Sequence, residues 1–284
     1  MRGIMLTSSA TMYYARINLH KLLADYDSKS EKFLSEKITD LINNENVSDA
    51  VKSDYKWRFG DIIETENNIF CKLGKIRKVK EKTIFDQKNK KFIQTTSTDE
   101  DVFISHIFFD KKRHFFIFEE RRPEIGYKEL IYIIEQSFKK FYEREISIDL
   151  LPNKLALNKI LEISNKITRV KFVLKPSNPD DAEDIKTMEN IIRDIKAKKA
   201  TIDFTNIDGL KVKDSKTYNS GNQMVAKGFG NETLEYIDKG GKKQSYNSKN
   251  KIMKETIKKP VNDNEWKSKF IDMLNNLVKV LNQK

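Results

Sequence analysis

Three histidines, His20, His106 and His114, bound the acid–base and metal chemistry open to this chain. His106 and His114 flank the polar stretch Asp110-Lys111-Lys112-Arg113, which reads as the turn of a hairpin. A two-residue loop there points the two imidazoles to opposite faces, and a three-residue loop keeps them on one face but about 13 Å apart. Neither register builds a two-histidine metal site, so the use left to a histidine is general acid–base catalysis beside a Lys or Arg, as in a metal-independent ribonuclease. Magnesium nucleases need two or three convergent carboxylates, often with a lysine close by. Asp110-Lys111-Lys112 and Asp238-Lys239-Gly240 have that order, but both sit in turn-rich stretches. Asp99-Glu100-Asp101, Glu119-Glu120 and Asp180-Asp181 read as strand ends and a helix start. Gly228-Phe229-Gly230 is followed by no GK[ST], and GxGxxG, GxSxG, HExxH and CxxC are all absent. Cys71 is a single cysteine, which excludes an internal disulfide and a cysteine-built zinc site. No catalytic residue, metal or cofactor is therefore assigned from motifs.

What is left is charge. The 54 Lys and Arg exceed the 42 Asp and Glu by 12, and the surplus is local. Between Cys71 and Lys91 nine basic residues face Glu81 and Asp86, a net of +7. Between Lys239 and Lys259 eight lysines face Glu255 alone, again +7. Two concentrated segments that converge in the fold would attract a polyanion, and nucleic acid is the expected partner. The residues expected to carry it are Lys72, Lys75, Arg77, Lys78, Lys80 and Lys82 in the first segment. In the second they are Lys242, Lys243, Lys249, Lys251 and Lys254, with Tyr246 to stack on a base. The competing readings are lysines that guard sheet edges or serve solubility, and an acidic protein or membrane surface as the partner.

The elements that must position these residues follow from hydrophobic period. With 284 residues, 38% of them hydrophobic and 10% aromatic, the chain can bury a core, and wholesale disorder is excluded. No stretch approaches the roughly 18 apolar residues of a membrane span, nor does the opening resemble a signal-peptide core. A soluble protein is expected, and the cysteine usage fits the cytoplasm. Met12 to His20 alternates as a strand, and Phe33, Leu34, Ile38, Leu41 and Ile42 form a helical stripe. From Tyr55 to Glu120 the period becomes that of a β-meander, and Phe residues on both faces of its last hairpin predict helices covering each side. A helix over Tyr127 to Arg144 follows. The order β–α–β–α–β from Ile146 to Thr205 has the spacing of a ferredoxin-like unit. Residues 208–260 are rich in Gly and Lys, with short strands expected at Met224–Ala226 and Thr233–Ile237. Pro260 precedes an amphipathic helix over 264–283, which packs back or pairs with a partner or a second copy.

The stretch Val170-Lys171-Phe172-Val173-Leu174-Lys175-Pro176-Ser177-Asn178-Pro179-Asp180-Asp181, with the variable segment ending at Lys258-Lys259-Pro260, resembles uncharacterised bacterial proteins of phage-defence neighbourhoods. The resemblance implies a defence role and carries no catalytic motif. The expected fold is α+β: a β-meander with covering helices over 1–122, joined to a ferredoxin-like half over 123–284, the two forming either two domains or one compact one. The expected function is nucleic-acid binding as a sensing or targeting component of an anti-phage defence system. The alternatives are a nuclease-type effector and an interaction subunit working through the terminal helix.

Overall fold

The computed structural model describes residues 9–19, 28–44, 55–77, 81–86, 90–96, 101–177 and 182–282. In chain order the elements are β1 (Ser9–Leu19), α1 (Ser28–Asn43), β2 (Tyr55–Glu64), β3 (Asn68–Arg77), β4 (Glu81–Asp86), β5 (Lys91–Thr96), β6 (Val102–Asp110) and β7 (Phe115–Glu120). They continue as α2 (Tyr127–Tyr142), β8 (Ile146–Leu150), α3 (Lys154–Ile163), β9 (Ser164–Leu174), α4 (Ala182–Asp194), β10 (Ala200–Thr205) and α5 (Lys216–Ala226). The last are β11 (Gly230–Asp238), β12 (Lys243–Asn247), β13 (Lys254–Lys258) and α6 (Asp263–Asn282). The fold is α+β on two antiparallel sheets, with a separate β4–β5 hairpin.

The larger sheet runs β13-β1-β7-β6-β3-β2, and β8 pairs with the second half of β1. Because successive side chains of a strand point to opposite faces, β1 feeds two cores at once. Tyr13, Ala15 and Ile17 face α1 and α2 together with Phe109, Phe116 and Phe118. Met12 and Tyr14 face α6 together with Phe70, Phe108, Phe115 and Ile117. The doubly aromatic hairpin is therefore covered on both sides. The stripe of α6, including Trp266, Phe270, Met273, Leu277 and Leu281, is buried against this sheet, so the terminal helix packs back.

The smaller sheet runs β10-β9-β11-β12 and buries one face under α4 and α5. The order β–α–β–α–β from Ile146 to Thr205 is present, but its first strand, β8, belongs to the larger sheet while β9 and β10 pair in the smaller one. Both sides of residue 122 contribute to the larger sheet, since β8 and β13 lie beyond it.

One element departs from the expected pattern: Met224–Ala226 closes helix α5 and is not a strand. Ser215 caps this helix by accepting from the Tyr218 N–H at 3.2 Å, and Tyr218, Gly221, Met224 and Val225 form its buried side. Gly221 reads as a turn residue, yet here it lets the helix approach β9: a Cβ would meet the Phe172 ring at 2.9 Å. Gly221→Ala should therefore cost about 1–3 kcal/mol despite the better helix propensity of alanine. A urea titration checks this, and an undiminished midpoint would show that α5 can lift off Phe172 freely.

Candidate nucleic-acid interface

The first basic segment begins on β3, an interior strand between β6 and β2, and its cations are matched to acids. Lys72 Nζ lies 2.8 Å from both Asp61, on β2, and Asp263, at the start of α6. Partial burial works against its charge, and the hydrogen bonds to Asp263 and Asp61 outweigh it, raising the ammonium above its ordinary range. Lys75 is buried, bonded to Glu129 at 2.8 Å and to the Glu124 carbonyl at 2.8 Å, with the Tyr55 ring 4.4 Å from its ammonium. Arg77 pairs with Asp101 at 3.5 Å. Lys78 and Lys80 lie outside the described residues, as does the side chain of Lys82. Lys72 and Lys75 are thus corrected from phosphate-facing cations to partners of Asp61, Asp263 and Glu129, whereas Arg77, at the end of the strand, stays exposed with Asp101 as a surface partner. The physical reason is that an interior strand places its lysines under neighbouring elements, where an unpaired charge is costly.

The second segment behaves differently. Lys239, Lys242 and Lys243 occupy the β11–β12 hairpin, Lys249 and Lys251 a 3-10 turn at Ser248–Asn250 and its exit, and Lys254 and Lys258 lie on β13. All seven are exposed, and among the described residues none of them forms an ion pair. Glu255, the one acid within residues 239–259, accepts the Tyr14 hydroxyl at 2.7 Å. β12 is an edge of the smaller sheet and β13 an edge of the larger one, so this lysine ribbon follows two sheet edges. Asp238, in the hairpin turn, accepts from the N–H groups of Gly240 and Lys242, and these bonds hold its carboxyl below the usual range. It is a turn cap, as is Asp110 for Lys112 and Arg113.

Among the described residues, the β3 part of the first segment does not merge with the second. β3 and β13 are four strand steps apart, about 19 Å at the usual spacing. They approach each other at the start of α6, where acids take up both sides: Lys72 with Asp263, and Lys259 with Glu119 at 3.9 Å.

At that corner lies a pair that sequence reasoning missed. His106 Nδ1 is 2.7 Å from Glu119 Oε2, and the ring stacks on Trp266 at 4.0 Å between centroids. The pairing follows from a hairpin register that sets Phe109 opposite Phe116, a longer loop than either register weighed from sequence. The sequence signal was Glu119-Glu120 at the strand end, within reach of His106 once that longer loop is allowed. A carboxylate holding an imidazole is the arrangement that orients a general base. Here it also clamps α6, because the ring is buried beneath Trp266. His106 and His114 lie on opposite faces, the latter stacked on Phe109 at 6.3 Å. Among the described residues no cluster of three or more His, Cys, Asp or Glu could hold a metal ion.

Tyr246 is corrected as well. It is 3% exposed, its ring buried in the core of the smaller sheet, so it offers no open face to a base. On β12 the tyrosine alone is buried, while Lys243, Gln244 and Ser245 are exposed. Beside it lies Glu232, fully buried on β11. Burial pushes this carboxyl up to about 7, with Tyr218 and Asn222 limiting the rise.

An α+β protein on two antiparallel sheets, with a lysine-laced pair of sheet edges, is the class these features define. The chain belongs to the DUF4747 family, a domain of unknown function whose model matches residues 11–279. No curated protein matches it. Among the described residues no helix is long and apolar enough to cross a membrane.

The raised Glu232 carboxyl sets a pH dependence. The folded protein keeps this proton up to about pH 7, whereas the unfolded chain releases it near the ordinary glutamate value of about 4.3. The stability it contributes is full below that lower value and is lost as pH rises to about 7. Glu232→Gln does not titrate. The stability difference between the two proteins should therefore move in favour of the Gln variant by about 3–4 kcal/mol across that window. Denaturant titrations at several pH values measure it, and a constant difference would rule it out.

Proposed function

We propose that this protein binds nucleic acid along the lysine ribbon of residues 239–258. The observation that carries the reading is the contrast between the two basic segments. Lys72 and Lys75 are held by acids beneath neighbouring elements, whereas Lys239, Lys242, Lys243, Lys249, Lys251, Lys254 and Lys258 stand exposed along two sheet edges. Seven ammonium groups on a short ribbon are held together against their mutual repulsion, and a phosphate backbone relieves that repulsion while releasing its own counterions. Edge lysines also discourage strand addition, a role compatible with this one. The setting we propose is the bacterial cytoplasm, with the protein as a sensing or targeting component of an anti-phage defence system, as the likeness to proteins of phage-defence neighbourhoods implies.

Fluorescence anisotropy with single-stranded oligonucleotides over a range of salt concentrations tests the reading. Affinity should fall steeply with salt, by about 0.7 in the slope of log K against log salt for each phosphate neutralised. Replacing Lys242, Lys243, Lys249 and Lys251 by Glu should weaken binding by at least about tenfold and flatten that slope by roughly 2–3. Affinity and slope unchanged by the four substitutions would remove this ribbon as the interface.

A further inference from the structure

A bare sheet edge attracts another strand, because its outward N–H and C=O groups have no partner, and folded proteins blunt such edges with charge, bulges or covering elements. The edges of the two sheets are treated unequally here. β12 and β13 carry the exposed lysines described above, and β2 carries Lys56 and Arg58 with a shift of register between Gly60 and Ile63. The outer side of β8 is covered by α2, whose Glu135 accepts the Ile148 N–H at 2.7 Å. β10 has none of these devices. Its run Ala200-Thr201-Ile202-Asp203-Phe204-Thr205 contains no Lys, Arg, Pro or Gly, and it pairs with β9 in unbroken register.

The phase of the β9–β10 ladder decides which backbone groups are free. The Asn206 N–H donates to the Thr168 carbonyl at 2.9 Å, and in an antiparallel ladder alternate residues turn their backbone groups to the same neighbour. Phe204, Ile202 and Ala200 therefore bond to β9, opposite Val170, Phe172 and Leu174. Thr201, Asp203 and Thr205 turn their groups outward, and among the described residues no strand lies on that side. The side chains divide the same way. Ala200 and Ile202 are half-buried against the core of the smaller sheet, and Phe204, on the same face at the rim, is 36% exposed. On the other face Asp203 is held by Arg169 at 2.7 Å, and Arg169 also reaches Glu235 at 2.8 Å, so the charges beside this edge are matched within the chain.

We propose that β10 pairs antiparallel with β10 of a second copy of this chain, about a twofold axis at Ile202. The strand is complementary to itself in that register. Ile202 meets the partner's Ile202, and Ala200 meets the partner's Phe204, small against large. Thr201 meets the partner's Asp203 and the reverse, two pairs that exchange about four backbone hydrogen bonds. An axis at Asp203 would instead set two carboxylates opposite each other, a destabilising cross-strand pair. Self-complementarity, with edge charges already matched in each copy, selects a second copy over an unrelated strand. Two four-stranded sheets then join into one of eight strands, with β12 at both outer edges, so both lysine ribbons stay free. The pairing is independent of the nucleic-acid reading.

Sedimentation velocity on nucleic-acid-free protein across a concentration series tests it. The wild-type chain should show a monomer–dimer equilibrium. Thr201→Pro removes one outward N–H and no bond to β9, and should weaken association at least about tenfold. Ile202→Cys should form a disulfide between copies on mild oxidation, because facing positions of a non-hydrogen-bonded pair lie about 4.5 Å apart between Cα atoms. The native Cys71 is buried, so the wild-type chain should give no such product. The crosslink reads the register even if the proline variant fails to fold. A wild-type chain that stays monomeric at every concentration would overturn the proposal, as would a dimer that Thr201→Pro leaves at full strength and Ile202→Cys does not crosslink.

Discussion

A buried guanidinium with nothing to donate to would cost more than a small domain can spare, and Arg16 satisfies that demand by joining the two sheets. It lies on β1, 2% exposed, between the rings of Phe115 and Phe229 at 4.7 and 4.4 Å. It donates to the Arg113 carbonyl in the β6–β7 turn and to the Lys227 carbonyl at the end of α5. Two residues on, Asn18 donates to the Gly228 carbonyl and to Asp149. Gly228 has a φ of +87° and no room for a Cβ, which would meet Leu151 at 2.8 Å and the Arg16 Cβ at 3.0 Å. The smaller sheet is thus anchored to the larger through one strand, and β1 is the strand that also pairs with β7, β8 and β13.

That anchoring governs where charge appears. Because β8 and β13 return to β1, the chain between β12 and β13 must cross from one sheet edge to the other, and the second lysine segment occupies this crossing. The same return carries α6 across the opposite end of the larger sheet. Its first residues deliver Asp263 to Lys72, and its first turn delivers Trp266 to His106. One connection thereby exposes one basic segment and quenches the start of the other.

The two polar groups beneath these surfaces differ in kind. His106 and Glu119 satisfy each other and lock a helix onto a sheet. Glu232 accepts from Asn222 through one oxygen, while its other oxygen has no hydrogen bond among the described residues. The first is complete as it stands, whereas the second is the kind of unsatisfied buried polar group that asks for an explanation.

Local pattern in the sequence was enough for the α+β class, the aromatic hairpin covered on both sides, the helix at Tyr127 and the terminal helix that packs back, because hydrophobic period reports which face of an element is buried. The two charge concentrations were legible for the same reason: they are sums over neighbours in the chain. Their fates were not. Lys72 meets Asp263 across 191 residues and Lys75 meets Glu129 across 54, and no local count contains those distances. Tyr246 looked like a surface aromatic until the pairing of β12 with β11 turned it inward, and Gly221 looked like a turn until Phe172 needed the space of its missing side chain. Register, sheet membership and ion pairing are properties of contacts between remote segments. Tertiary structure alone decided which lysines face water and which are held by acids.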